Sequence, residues 1–80
     1  MADDVRKALS DLSGELDRHE GARSDKGREL SDTVRSAMEG DDHEGLGDKL
    51  AEAAVHFEVD HPDLAAVLRR TVQLMTDAGL

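Results

Sequence analysis

Phe57-Glu58-Val59-Asp60-His61-Pro62-Asp63-Leu64-Ala65-Ala66-Val67-Leu68-Arg69-Arg70 contains the only Phe and the only Pro of the chain. Pro62 divides the stretch. Inside a continuous helix its ring would remove a hydrogen bond and clash with the preceding turn, at about 3 kcal/mol. In a first helical turn neither penalty applies. The stretch therefore reads as a helix ending, a junction at Asp60-His61-Pro62, and a new helix beginning. Asp60 is placed to cap the new helix, with Asp63 three residues on in a capping-box-like arrangement. Phe57 ends the apolar side of the upstream helix, and Leu64 and Leu68 begin that of the downstream one, so a hairpin brings these faces together.

Downstream, the pattern predicts a helix from Pro62 to about Ala78. Leu64, Val67, Leu68, Thr71, Val72, Leu74, Met75 and Ala78 cover roughly half its circumference, with Arg69, Arg70, Gln73 and Asp77 outside the arc. So wide a face marks a central helix. Gly79-Leu80 suits a Schellman stop in which Leu80 folds back toward Met75. Upstream, a helix over about Glu44 to Val59 gathers Leu46, Leu50, Ala53, Ala54 and Phe57 on one side, with Gly45 and Gly47 weakening its start.

Further upstream, a helix from about Asp3 to His19 carries a narrow stripe of Val5, Ala8, Leu9, Leu12 and Leu16, closer to a coiled-coil seam than to a broad face. Asp3 and Asp4 stand favourably at the positive end of its dipole. Glu20 to Ser24 reads as a turn, with Gly21 suited to a helix stop and Ser24 or Asp25 to an N-cap. A second helix over about Asp25 to Glu39 has the thinnest apolar side, Leu30, Val34, Ala37 and Met38, and holds Gly27 in its first turn. Gly40 to His43 is a polar break. Strand-like alternation is absent.

Composition narrows the reading. Eighty residues make one small helical domain, 1–80. Leu, Val and Phe total 17, Ile is absent, and ten of the hydrophobic residues are Ala, so the core is poor. Chains of this size commonly need cross-links, a metal or a partner subunit. With no Cys, self-association is the expected remedy, through the first-helix seam of Val5, Leu9, Leu12 and Leu16. The expected core comprises Leu9, Leu12, Leu16, Leu50, Phe57, Leu64, Leu68, Val72 and Met75.

The net charge of −9 repels phosphate backbones and disfavours nucleic acid as a partner. Asp (12) exceeds Glu (7), and Arg (7) exceeds Lys (3), the bias expected of a salt-adapted cytoplasm where high ionic strength screens self-repulsion. No apolar run approaches the ~20 residues that span a bilayer. The first residues, Met1-Ala2-Asp3-Asp4, lack the basic and apolar character of a signal peptide. A cytoplasmic protein is expected.

Chemistry is sparse. His56 and Asp60, and Glu58 and His61, stand at helical spacings that could share a metal, but the pairs point to different sides of the helix and Pro62 disturbs the second. A structural reading places His61 at the junction, bonding a helix end, with His56 on the surface; His19 and His43 suggest no site. Asp41-Asp42-His43-Glu44 lacks the ligand spacing and Gly of a calcium loop and suits a helix N-terminus. Gly45-Leu46-Gly47 is too short a fragment for a phosphate loop, and no serine sits in a nucleophile elbow. Arg69-Arg70 would pair with Asp63, Asp77 or acids of the third helix. No catalytic residue, metal ligand or cofactor is expected.

Phe57-Glu58-x-x-His61-Pro62-x-Leu64-Ala65-x-x-Leu68-Arg69, followed by a terminal Gly79-Leu80 and preceded by the Leu-rich first helix, resembles domain-of-unknown-function family 4404, a prokaryotic family of short helical proteins. The resemblance implies a helical fold and supplies no functional residue.

The sequence thus predicts an all-α bundle of three to four helices, with a helical hairpin joined at Asp60-His61-Pro62 and completed by self-association. Its expected role is that of a non-enzymatic interaction or accessory protein with a protein partner or a second copy. The alternative is a small ligand- or metal-binding module using His56, His61 and Arg69.

Overall fold

A computed structural model describes residues 3–40 and 45–79. Four α-helices follow one another: α1 (Asp3–Arg18), α2 (Asp25–Glu39), α3 (Leu46–Phe57) and α4 (Pro62–Asp77), with a 3-10 turn at Glu20–Arg23 between the first two. No strand occurs among the described residues. The chain is an all-α bundle. α4 lies along α3 as the second arm of a hairpin and also packs on α1, whereas α2 rests on α1 and the 3-10 turn and leans only lightly on α3.

Each boundary has a local cause. The Ser24 hydroxyl accepts the Gly27 N–H (3.1 Å), which caps α2 at its third residue. Gly45, at φ 73°, sits in the left-handed region immediately before α3, so that helix begins at Leu46; Glu44 and the polar break Asp41–His43 lie outside the described residues. α3 ends at Phe57, two residues earlier than the apolar pattern suggests. There the His61 N–H reaches back to the Phe57 carbonyl (2.7 Å) and turns the chain. Pro62 opens α4, where its missing N–H costs nothing.

Asp60 does not cap α4, contrary to the expected capping box. His61 holds the N-cap position, at φ −138° and ψ 69°, and gives the helix no side-chain bond. At the far end, Gly79 (φ 82°) donates to the Thr76 carbonyl (3.0 Å), one arm of a Schellman stop. Leu80 lies outside the described residues.

One contiguous core joins the helices. Leu9, Leu12, Leu16, Leu50, Phe57, Leu64, Leu68 and Met75 are all buried within it, and Val72 is half-buried against it. α4 buries a narrower face than its pattern suggests: Leu64, Ala65, Leu68, Thr71 and Met75. Leu74 is 40% exposed and Ala78 is exposed, because only α1 and α3 flank the helix. The buried Thr71 hydroxyl is satisfied by the Val67 carbonyl (3.0 Å).

The first-helix seam is not free for a second copy. Val5, Leu9, Leu12 and Leu16 are buried inside the single chain, so self-association through them is corrected. α2 and α4 enclose the stripe from two sides, while Ala53, Ala54 and Ala65, almost fully buried, let α3 and α4 pack closely. The radius of gyration, 11.3 Å, matches the roughly 11.6 Å of a compact domain of this length.

Candidate functional site

The ring-bearing side chains converge on one end of the bundle. α1 stops at Arg18, and His19 then caps the 3-10 turn: its Nδ1 accepts the Gly21 N–H at 2.9 Å. Its Nε2 lies 2.9 Å from an Asp63 carboxylate oxygen at the start of α4. Since Nδ1 accepts, the proton sits on Nε2 and is donated to Asp63, which assigns the neutral tautomer. The His19 hydrogen bond is the main cause holding the Asp63 carboxyl below its ordinary range, helped by the Leu64 backbone.

The His61 ring meets His19 edge to face at 5.2 Å and lies tilted against Phe57 at 6.2 Å. Its other neighbour is Gly21, where an added Cβ would fall 2.6 Å from the imidazole. His56 meets Phe57 edge to face at 5.0 Å. Phe57, 3% exposed, is thus the hub between two imidazoles.

Beside these rings lies a shallow dimple of about 380 Å³, with His56, Phe57, Asp60 and His61 on one side and Glu20, Gly21 and Ser24 on the other. His56 and His61 therefore share one feature, as the ligand-binding alternative requires. Arg69 does not join them. It forms an ion pair with Glu58 (3.0 Å), both side chains being half-exposed, and neither Asp63 nor Asp77 is its partner. Among the described residues, no group of three or more His, Asp or Glu side chains is placed to hold a metal ion.

Sequence reasoning missed His19. It stands at the margin of the α1 stripe, and its partner Asp63 is 44 residues away, beyond any local pattern. The available signal was weak: a His immediately after a helix and two residues before a Gly can cap a turn as Ser or Asp does.

A different feature lies on the outside of α3 and the turn that follows it. Val55, on α3, is 65% exposed and turned away from the face that buries Leu50, Ala54 and Phe57, and Val59, in the turn after α3, is 87% exposed. Ala51 and the acids Asp48, Glu52 and Glu58 of the same stretch are also exposed; Glu52 pairs with Lys26 (3.4 Å) and Glu58 with Arg69.

The fold and these features define a small all-α bundle with a ring-lined junction at one end and an apolar strip outside. No helix among the described residues is long and apolar enough to cross a membrane. The chain belongs to a family described as a domain of unknown function, DUF4404, whose model matches residues 5–80. Nothing matches the chain among curated proteins or solved structures.

Proposed function

We propose that the protein is a non-enzymatic accessory protein that docks a basic amphipathic segment of another protein on the outer face of α3. The observation that carries this reading is the exposed pair Val55 and Val59. Two β-branched apolar side chains held open, one on the outside of α3 and one in the turn after it, are suited to cover by a partner. The exposed acid Asp48 of the same helix, with Glu52 and Glu58 already sharing Lys26 and Arg69, on a chain of net charge −9, favours a partner bearing Lys or Arg. A second copy would bring the same acids against each other, so the strip suits a different chain. The histidines are engaged in packing and capping, which leaves the ligand-binding alternative without a converging set of free polar groups.

Fluorescence anisotropy with two labelled amphipathic peptides of matched apolar face, one Lys-rich and one Glu-rich, tests this. The Lys-rich peptide should bind, and a Val55→Ser, Val59→Ser variant of unchanged helicity should bind it at least about tenfold more weakly, the loss expected of a central apolar contact. Equal binding by the variant, no binding of either peptide, or a mass by sedimentation showing dimers that the variant abolishes would each overturn it.

A further inference from the structure

We propose that His19 is a proton-operated latch that holds the 3-10 turn Glu20–Arg23 closed over His61 and Phe57. The His19 side chain is 12% exposed and both ring nitrogens are in use, Nδ1 as acceptor from Gly21 and Nε2 as donor to Asp63. Only one tautomer serves both partners. The Nδ1 lone pair is the one place a proton can enter, and that lone pair is what binds the turn. Protonation converts the acceptor into a second donor, facing the Gly21 N–H. One of the two contacts then fails.

Electrostatics selects which. The charged ring gains from Asp63, whose carboxyl is held below its ordinary range by this same contact, so the Asp63 side is retained. The Gly21 side is released. The other groups around the ring act in the same direction or stand aside. His61, 5.2 Å away in the α3–α4 turn, repels the imidazolium if it is itself protonated and so adds to the push on the turn. Glu20 in the turn and Asp60 across the dimple are exposed acids, and His56 stands beyond Phe57. Arg18, the last residue of α1, is occupied by Glu15 at 3.2 Å.

Release has a defined route. Gly21 is the residue against which the His61 ring lies. Its carbonyl accepts the Ser24 hydroxyl (3.0 Å), and Ser24 in turn caps α2. Freeing the Gly21 N–H therefore loosens the turn, uncovers the inner wall of the dimple beside Phe57, and weakens the cap of α2 while α1 stays tied to α4 through His19 and Asp63.

Amide hydrogen exchange and proton NMR across the imidazole range, between about pH 8 and pH 5, test the latch. After correction for the intrinsic pH dependence of exchange, protection of the Gly21 amide should fall about tenfold, as for the loss of one ordinary hydrogen bond. The fall should follow the His19 ring signals. In His19→Asn the side-chain oxygen takes the place of Nδ1 without titrating, and Gly21 protection should stay level. Constant protection through the His19 titration, a midpoint that follows His61 or His56 instead, or the same fall in His19→Asn would overturn the proposal. Should His19→Asn not fold, the wild-type titration decides alone, since the ring signals are resolved by residue.

Discussion

At the end of the bundle where α1 stops, a methyl group on Gly27 would fall 2.4 Å from the Ala22 backbone and one on Gly21 2.6 Å from the His61 ring, whereas at the start of α3 Gly45 and Gly47 have nothing within 4 Å. One end is closed by backbones that touch through glycine; the other is open. Beside the open end runs a groove between α2 and α3 of about 440 Å³, in which Glu29, Asp32, Ser36 and Lys49 stand over Ala37 and Leu46. At the closed end the 3-10 turn is pressed against the start of α2 and against the His61 ring, while α2 and α3 are left lightly packed on each other. In a small bundle, glycine and alanine thus do part of what leucine does in a larger one.

The largest expected effect is at the hub of the closed end. Phe57→Ala removes the ring that His56 and His61 pack against and that belongs to one core with Leu64 and Leu68, and truncating a buried Phe costs about 3–5 kcal/mol. That is comparable to the whole stability of a domain of this size, so circular dichroism should find the variant largely unfolded. A variant that melts like the parent would show that the hub is not where the fold is held.

Gly27→Ala should be next. The clash is with backbone, so α2 and the 3-10 turn have to separate; overpacking of this kind costs about 1–3 kcal/mol. Urea denaturation should give a lower midpoint with an unchanged slope. Gly21→Ala meets a side chain instead and should cost less, because the His61 ring can turn aside into the dimple.

The opposite sign is expected at the open end. Gly47 lies in the first turn of α3 with a free direction for a methyl group, and Gly47→Ala should stabilise by about 0.5–1 kcal/mol through helix propensity and unfolded-chain entropy. Its neighbour is the control. Gly45→Ala has equal space but φ 73°, and it should destabilise by about 1 kcal/mol, the cost of left-handed backbone for a residue with a Cβ. If both substitutions moved stability the same way, the distinction between room and backbone geometry would fail.

These contrasts show what was legible in the sequence. Helix existence followed from apolar periodicity, and the hairpin followed from Pro62, because a ring that forbids a helix interior is a local rule with a large penalty. Gly27 was misread as a helix weakness and Gly21 as a helix stop. Both are contact points, and a missing side chain records nothing about what approaches it. The α1 seam looked like an interface because its narrowness was visible, while the packing of α2 and α4 on it belongs to the folded chain. His19 was invisible for the reason of distance: its partners belong to a turn and to a helix that meet only in the folded chain.

Added salt should act unequally on the two regions. Raising ionic strength from 0.1 M toward 1 M shortens the screening length from ~10 to ~3 Å, which relieves the self-repulsion of a chain at net charge −9. The melting temperature should rise with KCl. Amides of α2 and α3 beside the groove, whose rim holds Glu29 and Asp32, should gain more protection than that of Phe57, whose buried ring packs on His56 and His61. A falling melting temperature would count against salt adaptation.

The smallest effect is expected from Asp63, and its sign follows from the direction of its titration. Its folded-state pKa lies below the ordinary 3.8, chiefly through the His19 hydrogen bond and then the Leu64 backbone. A carboxyl that is more acidic in the folded than in the unfolded chain contributes stability fully above the unfolded value, and the contribution is lost as pH falls through the folded one. The group is solvent-exposed, so the contribution is small and screened. Comparing urea midpoints of the parent and Asp63→Asn isolates it. The parent should be slightly the more stable at neutral and mildly acid pH, and the two should converge only as pH falls through the lowered folded-state value, where the parent's carboxyl also becomes neutral. Since an amide oxygen can still accept from His19, the difference reports the charge on Asp63 and leaves the geometry of the contact in place. A difference that persists to the lowest pH would locate its cause in the packing of the side chain, and the closed end would then be held without any charged contribution from α4.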